Sequence, residues 1–328
     1  MKMRYVLIIL AIILIFTQVA GAGEKPIIVY ATPEEGKAIL TAHDDFIKAM
    51  SPFDRALRMR SEKPVSTQEF VDFIGNNVMA WNNEDKVSLQ MIVNSMAVKL
   101  APYTSLLPDK IYLIKTTGNE EGNSAYTRAN AIIIPQQVIS MNPVEIYRLM
   151  SHEIFHIMTR QNKKMTEDLY SAIGFHTCAD FRLPKNLEKR RLTNPDAPFN
   201  NHCITVGIGK NYFDVIPLLY SNVDSYSPLH GEQLFDYLQA GFLSVARVDK
   251  SGLRPVILKE KDMKLYKEED LKGFFEKVGK NTDYTIHPEE ILADNFSYLF
   301  FGMTEIESPE VLDKIKRVLD KYTSKPAG

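Results

Sequence analysis

Residues 151–162 read "SHEIFHIMTRQN" and carry the pattern His-Glu-x-x-His as His152, Glu153 and His156. Just upstream, Asn142-Pro143-Val144-Glu145 is a helix start: a capping Asn, a Pro at the first helical position and an acid in the first turn. The spacing predicts a helix from about 143 to about 161. On it, His152 and His156 lie one turn apart on the same face and can grip one metal ion together. Glu153 is rotated about 100° from His152. There it can reach a water on the metal without being a ligand, as in a zinc hydrolase with two imidazole ligands and a carboxylate general base. The competing reading is two helix histidines satisfied by hydrogen bonds, with Glu153 solvated.

The segments around this helix set its context. Three helix starts precede it: Thr32-Pro33, the capping box Ser66/Glu69, and the apolar-striped run "NEDKVSLQMIVNSMAVKL" (83–100). "KIYLIKTTG" (110–118) and "AYTRANAIIIPQQVI" (125–139) read as two strands joined by the turn "NEEGNS", a hairpin just before the motif helix. Beyond it come a helix near 165–175 and a Pro/Asn-rich connection, "RLTNPDAPFNNH" (191–202). Strand-like runs follow at 203–209, 212–221, 241–248 and 253–259, with "DKSG" (249–252) as a hairpin turn. Helices are expected again over 267–279, from Pro288 to near Gly302, and from Pro309 onward.

A catalytic zinc takes three protein ligands and keeps a fourth position open. A third histidine six residues past the second is missing, because Asn162 stands there, with Thr159 where that pattern has Gly. Acids are the alternative. Glu167 is near in sequence, but its i+4 neighbour is Ser171. In "HPEEILADNF" (287–296), Glu290 and Asp294 share one face of a helix rich in Ile, Leu and Phe. Two carboxylates buried there without a counter-charge would be costly, so they point to a cation. Glu290 could be the ligand. Asp294 could accept the N–H of a ligand histidine and fix its tautomer. Glu289 is the close competitor, on the face of Ala293 and Phe296. An acidic first turn that merely complements the helix dipole is the plainer reading of this pair.

His152, Glu153, His156, Glu290 and Asp294 together resemble the gluzincins, the thermolysin-like superfamily of metallopeptidases, whose pattern is His-Glu-x-x-His followed by Glu-x-x-x-Asp on a later helix. The likeness covers about half of the chain, and the stretch between the two motifs is longer than in many gluzincins. It implies that His152, His156 and Glu290 bind Zn2+, that Glu153 is the base and that Asp294 orients a ligand histidine. It also implies an α+β, zincin-like fold, mostly helical, with a small antiparallel sheet beside the motif helix. The strand before that helix would be an edge on which an extended substrate lies. A Tyr or His is expected to help hold the oxyanion, and His230, Tyr237 and Tyr298 are the candidates.

The N-terminus carries a different signal. Lys2 and Arg4 precede the unbroken apolar run "YVLIILAIILIF" (5–16), and Ala20-Gly21-Ala22 follows as a small-x-small cleavage pattern. This reads as a cleaved export signal over 1–22, too short for a comfortable membrane span. An uncleaved anchor is the other reading. The expected organisation is a helical region over 23–105 and a zincin-like catalytic region over 106–328, with a β-rich insertion at about 200–262. An exported chain with two cysteines, Cys178 and Cys203, can hold one disulfide, or leave two buried thiols. Apolar residues make up 45% and the net charge is −2, a globular profile without the basic surplus that nucleic acid would call for. The expected function is thus an exported zinc metalloprotease acting on peptides or proteins, with no nucleic-acid partner and no stable membrane span. The alternatives are a zinc hydrolase of another bond and a non-catalytic zinc-binding or protein-interaction module.

Overall fold

The computed structural model describes residues 27–249 and 254–324. The expected export signal at 1–22 lies outside them. The chain enters as strand β1 (Ile27–Tyr30) and then forms helices α1 (Pro33–Leu40), α2 (Asp45–Ala49), α3 (Pro52–Arg58) and α4 (Thr67–Asn77). Strand β2 (Val78–Met79) and the long helix α5 (Asn83–Leu100) follow. The capping boxes Thr32/Glu35 and Ser66/Glu69 form, and Asn82/Asp85 adds a third at the start of α5.

Strands β3 (Lys110–Thr116), β4 (Tyr126–Arg128) and β5 (Ala131–Pro135) complete the first sheet. Its order is β1-β3-β5-β4, with β2 attached to β3. Here the expected small antiparallel sheet is corrected. β1, β3 and β5 run parallel, and only β4 and β2 are antiparallel to their neighbours. The hairpin is not 110–118 with 125–139. It is β4 with β5, closed tightly through Ala129, whose φ is +50°. That turn places β5 in the interior of the sheet, and all five of its residues, "AIIIP", are buried. A continuous apolar run of this kind belongs to a strand covered on both faces. One cover is the cluster of Leu40, Phe46 and Ile74 from α1, α2 and α4, packed with Ile133. The other includes Met150, Ile154 and Ile157 of the motif helix, with Ile132 and Ile134. The region expected to be helical, 23–105, therefore supplies two strands to this sheet.

The motif helix is α6 (Pro143–Gln161), with Asn142 accepting a hydrogen bond from the backbone N–H of Val144. Helix α7 (Lys163–Ala172) leads into a second, antiparallel sheet. It comprises β6 (Phe175–Thr177), β7 (His202–Ile208), β8 (Asn211–Tyr220), β9 (Gln239–Val248), β10 (Pro255–Ile257) and β11 (Leu265–Tyr266). The β-rich insertion thus begins earlier than expected, at Phe175. β9 and β10 pair as the expected hairpin, whose turn lies mostly outside the described residues. Short helices α8 (Lys185–Arg190) and α9 (Leu234–Tyr237) interrupt the sheet. A disulfide joins Cys178 to Cys203 across 25 residues. It ties the end of β6 to β7.

The helix expected over 267–279 shrinks to α10 (Phe275–Val278). Gly273 adopts φ +83°, a left-handed conformation that interrupts a helix, and Lys272 forms a β-bridge with Gly207 instead. Helices α11 (Pro288–Phe301) and α12 (Pro309–Thr323) close the chain. α11 packs along α6 through Ile291, Leu292 and Phe296, in the same core as the sheet. The class is α+β. Among the described residues, no helix is long and apolar enough to cross a membrane.

Candidate metal centre

Helices α6 and α11 carry the site between them. His152 Nε2 stands 3.1 Å from Glu290 Oε2, and His156 Nε2 stands 3.6 Å from the same oxygen. A tetrahedral zinc with bonds of about 2.0–2.1 Å separates its ligand atoms by roughly 3.3–3.4 Å. Both observed separations fall around that value. His156 and Glu290 are buried, while His152 keeps 15% of its side chain exposed. The cluster is thus buried on one side and reached by solvent on the His152 side.

Each histidine is held from behind by a carboxylate. Asp294 Oδ1 lies 3.0 Å from His152 Nδ1, and Thr282 donates its hydroxyl to the other Asp294 oxygen. Glu289 Oε1 lies 3.0 Å from His156 Nδ1 and also accepts from the Thr159 hydroxyl. Tyr170 Oη donates to Glu289 Oε2 at 2.7 Å. Hydrogen bonds at both Nδ1 atoms leave both Nε2 atoms to face Glu290, the tautomer a metal ligand needs. Glu289, the close competitor for third ligand, is thus the partner of His156. Glu167, the other competitor, is engaged 2.9 Å from His202 Nε2.

Two buried polar atoms have no hydrogen-bond partner among the described residues at this point: His156 Nε2 and Glu153 Oε2. Leaving such atoms bare costs about 1–3 kcal/mol each. His156 Nε2 belongs to the group with Glu290, and Glu153 lies within 4.8 Å of His156 in a second group, where a cation or a water on it would satisfy them. The donor set of two imidazoles and a carboxylate fits zinc.

The electrostatics of the metal-free site are strongly perturbed. Burial alone would lower the pKa of His152, but its hydrogen bonds to Asp294 and Glu290 outweigh this and raise it to about 10. His156 rises in the same way, with the charges of Glu290 and Asp196 overriding its burial. Burial opposes ionisation of Glu290 too, but the two histidines hold its pKa well below the usual carboxylate range. Glu153 is pushed up to about 8 by burial first and by the charge of Asp196 second.

Three residues of the site escaped the sequence reading. Asp196 forms a second group of possible ligand atoms with Glu153 and His156, all within 4.8 Å of one another. Asn194 Nδ2 donates to Glu290 Oε1 at 2.6 Å. Tyr284 lines a cavity of about 490 Å³ together with His152, Glu153, Glu290 and Asp294. Asn194 and Asp196 sit in what reads as a plain connection, and the one hint is "NPD", whose Asn side chain turns the chain by accepting from the Asp196 N–H.

The candidate oxyanion donors fare differently. Tyr298 Oη accepts from Arg148 Nη2 at 3.1 Å, with that guanidinium over its ring. The Tyr237 hydroxyl bonds Ser227 and Gly231, in a separate cluster with Tyr226 and Phe53. His230 ends a single turn at Pro228–His230. None of the three is among the residues lining the cavity. The expected edge strand also moves: the edge beside the site is β4, not the strand directly preceding α6. No family model matches the chain, and neither does any curated protein or solved structure.

Proposed function

We propose that this chain is an exported zinc metallopeptidase of gluzincin type. The observation that carries the reading is the convergence of His152 Nε2 and His156 Nε2 on Glu290 Oε2, at 3.1 and 3.6 Å, beside the unpartnered carboxylate oxygen of Glu153. Zinc, when bound by His152, His156 and Glu290, supplies a Lewis acid that polarises a carbonyl and acidifies water.

The residues of the chain do the rest. With a dication held there, the Glu153 carboxyl would return toward its ionised form, since an opposite charge within a few ångström favours it. Glu153 Oε2 then takes the proton of the attacking water and delivers it to the leaving nitrogen. Asp294 and Glu289 hold the two imidazoles in place throughout. Tyr284, which lines the same cavity, is the candidate donor to the developing oxyanion. The disulfide between Cys178 and Cys203 and the signal-like residues 1–22 support export.

A second reading has one observation in its favour. The segment holding Asn194 and Asp196 lies against the site, as it could in a zinc-binding interaction module that turns over nothing. Zinc content of the purified protein and casein hydrolysis by wild type and Glu153→Gln separate the two. Stoichiometric zinc with hydrolysis abolished in Glu153→Gln is expected. Zinc without Glu153-dependent hydrolysis selects the module, and a zinc-free protein refutes both.

A further inference from the structure

We propose that the turn Asn194–Asp196 is a built-in latch that occupies the place of the substrate backbone. The inference rests on the peptidase reading. Strand β4 pairs with β5 through Tyr126 and Arg128 at its ends, so the N–H of Thr127 between them points outward from the sheet. A peptide adding to this edge would offer that N–H a carbonyl oxygen. Asp196 Oδ1 already takes it, at 2.7 Å, and accepts from the Thr127 hydroxyl as well. The same carboxylate reaches the group formed by Glu153 and His156. Two residues earlier, Asn194 covers Glu290 Oε1. One short turn therefore engages the substrate edge, the base and the third ligand at once.

The stem of the turn is firm and its tip is small. Thr193 donates its N–H to Asp54 at 2.9 Å and accepts from Arg58 at 2.9 Å, inside a buried cluster of charges. On the far side, the carbonyl of Phe199 lies 3.2 Å from His287 Nε2. Only residues 194–198 lie between these two anchors. Asp196 lines both the cavity of about 490 Å³ on the Glu153 side and a second of about 510 Å³ on the His156 side. Withdrawing it joins them into one groove along β4 that passes the metal ligands. Keeping it in place costs free energy, because it holds a largely buried carboxylate with the Arg160 guanidinium no nearer than 3.9 Å. A turn held at the site by three hydrogen bonds, two from Thr127 and one to Glu290, can open.

The test uses the full chain with Asp196→Ala and with Asp196→Asn, which keeps an acceptor for Thr127 but no charge. Amide hydrogen exchange at Thr127, followed with and without metal, should be at least tenfold faster in Asp196→Ala and close to wild type in Asp196→Asn. Cobalt(II)-loaded protein titrated with acetohydroxamate, read by its visible absorption, should bind at least tenfold more tightly in Asp196→Ala and close to wild type in Asp196→Asn. Casein hydrolysis should rise in Asp196→Ala alone. Unchanged exchange or unchanged hydroxamate affinity in Asp196→Ala overturns the latch. Hydrolysis that falls in both variants also overturns it and makes Asp196 a positioning residue. A wild type that takes up no metal refutes the peptidase reading instead, and metal-free exchange then still reports whether Asp196 seals the edge.

Discussion

Glu289→Gln is the sharpest probe of the site, because it changes neither shape nor ligand count. Glu289 accepts from three donors at once: the His156 ring at 3.0 Å, the Thr159 hydroxyl and the Tyr170 hydroxyl at 2.7 Å. Gln keeps one oxygen for His156 and Thr159 but turns an N–H2 toward Tyr170, and it removes the negative charge behind the imidazole. Loss of such a carboxylate typically weakens metal binding about 10–100-fold, which is about 1.4–2.7 kcal/mol. Folding should suffer by about 1–3 kcal/mol from the mispaired Tyr170 hydroxyl. Glu289→Ala strands all three donors and should cost at least about 3 kcal/mol on the same scale. Zinc affinity is measured by competition with a chromophoric chelator, and stability by urea melts of the metal-free protein. Asp294→Asn, which acts on His152 in the same way, should match Glu289→Gln in affinity. The reasoning is refuted if Glu289→Gln binds zinc like wild type while Asp294→Asn is weakened. A loss as complete as in Glu290→Ala would instead make Glu289 a ligand.

Other expectations follow from the same geometry. Glu290→Ala should abolish stoichiometric zinc, measured by atomic absorption after dialysis, whereas Glu167→Ala, bound to His202, should retain it. In EDTA, the folded chain binds protons more tightly than the unfolded one at His152, raised to about 10, and at Glu153, raised to about 8. Their contribution is full below the unfolded values and is lost as pH rises through 8 and then 10. Thermal melts in EDTA should therefore give a lower Tm at pH 9 than at pH 6, and a higher one would contradict the assignment. Zinc must displace these protons and that of His156, so calorimetry near pH 7 in two buffers of different ionisation heat should report release of about three protons per ion. Reduction of the Cys178–Cys203 bond, which closes a loop of 25 residues, should cost about 3–4 kcal/mol in urea melts.

Local chemistry was legible where it was self-contained. Asn142-Pro143 marks the start of α6, and the His152/His156 spacing and the Glu290/Asp294 spacing each follow from one helix alone. That these two helices meet is a matter of packing, and the cost of burying paired carboxylates was the only trace of it in the chain. Glu289 shows the limit of such reasoning. Ala293 and Phe296 on its face suggest an apolar side, yet Thr159 and Tyr170 on two other helices make that face polar. The sheet hides its order for a similar reason. Adjacent strands suggest a hairpin, and only the fully buried "AIIIP" betrays an interior strand that takes β3 and β1 on one side. Asp196 had no periodic signal at all, since a loop residue is placed by its anchors at Thr193 and Phe199 rather than by any repeat.

The Cys178–Cys203 bond has a consequence for how the chain comes apart. The turn at 194–196 lies inside the ring that this bond closes. A nick anywhere in residues 179–202 therefore frees two new ends without releasing a fragment, and one in the turn frees them at the cleft. The nicked molecule would run as one band on a gel until thiol is added, and as two afterwards. Mass lost is the wrong signature to seek when such a molecule is processed. Covalent continuity through sulfur outlasts continuity through the peptide backbone.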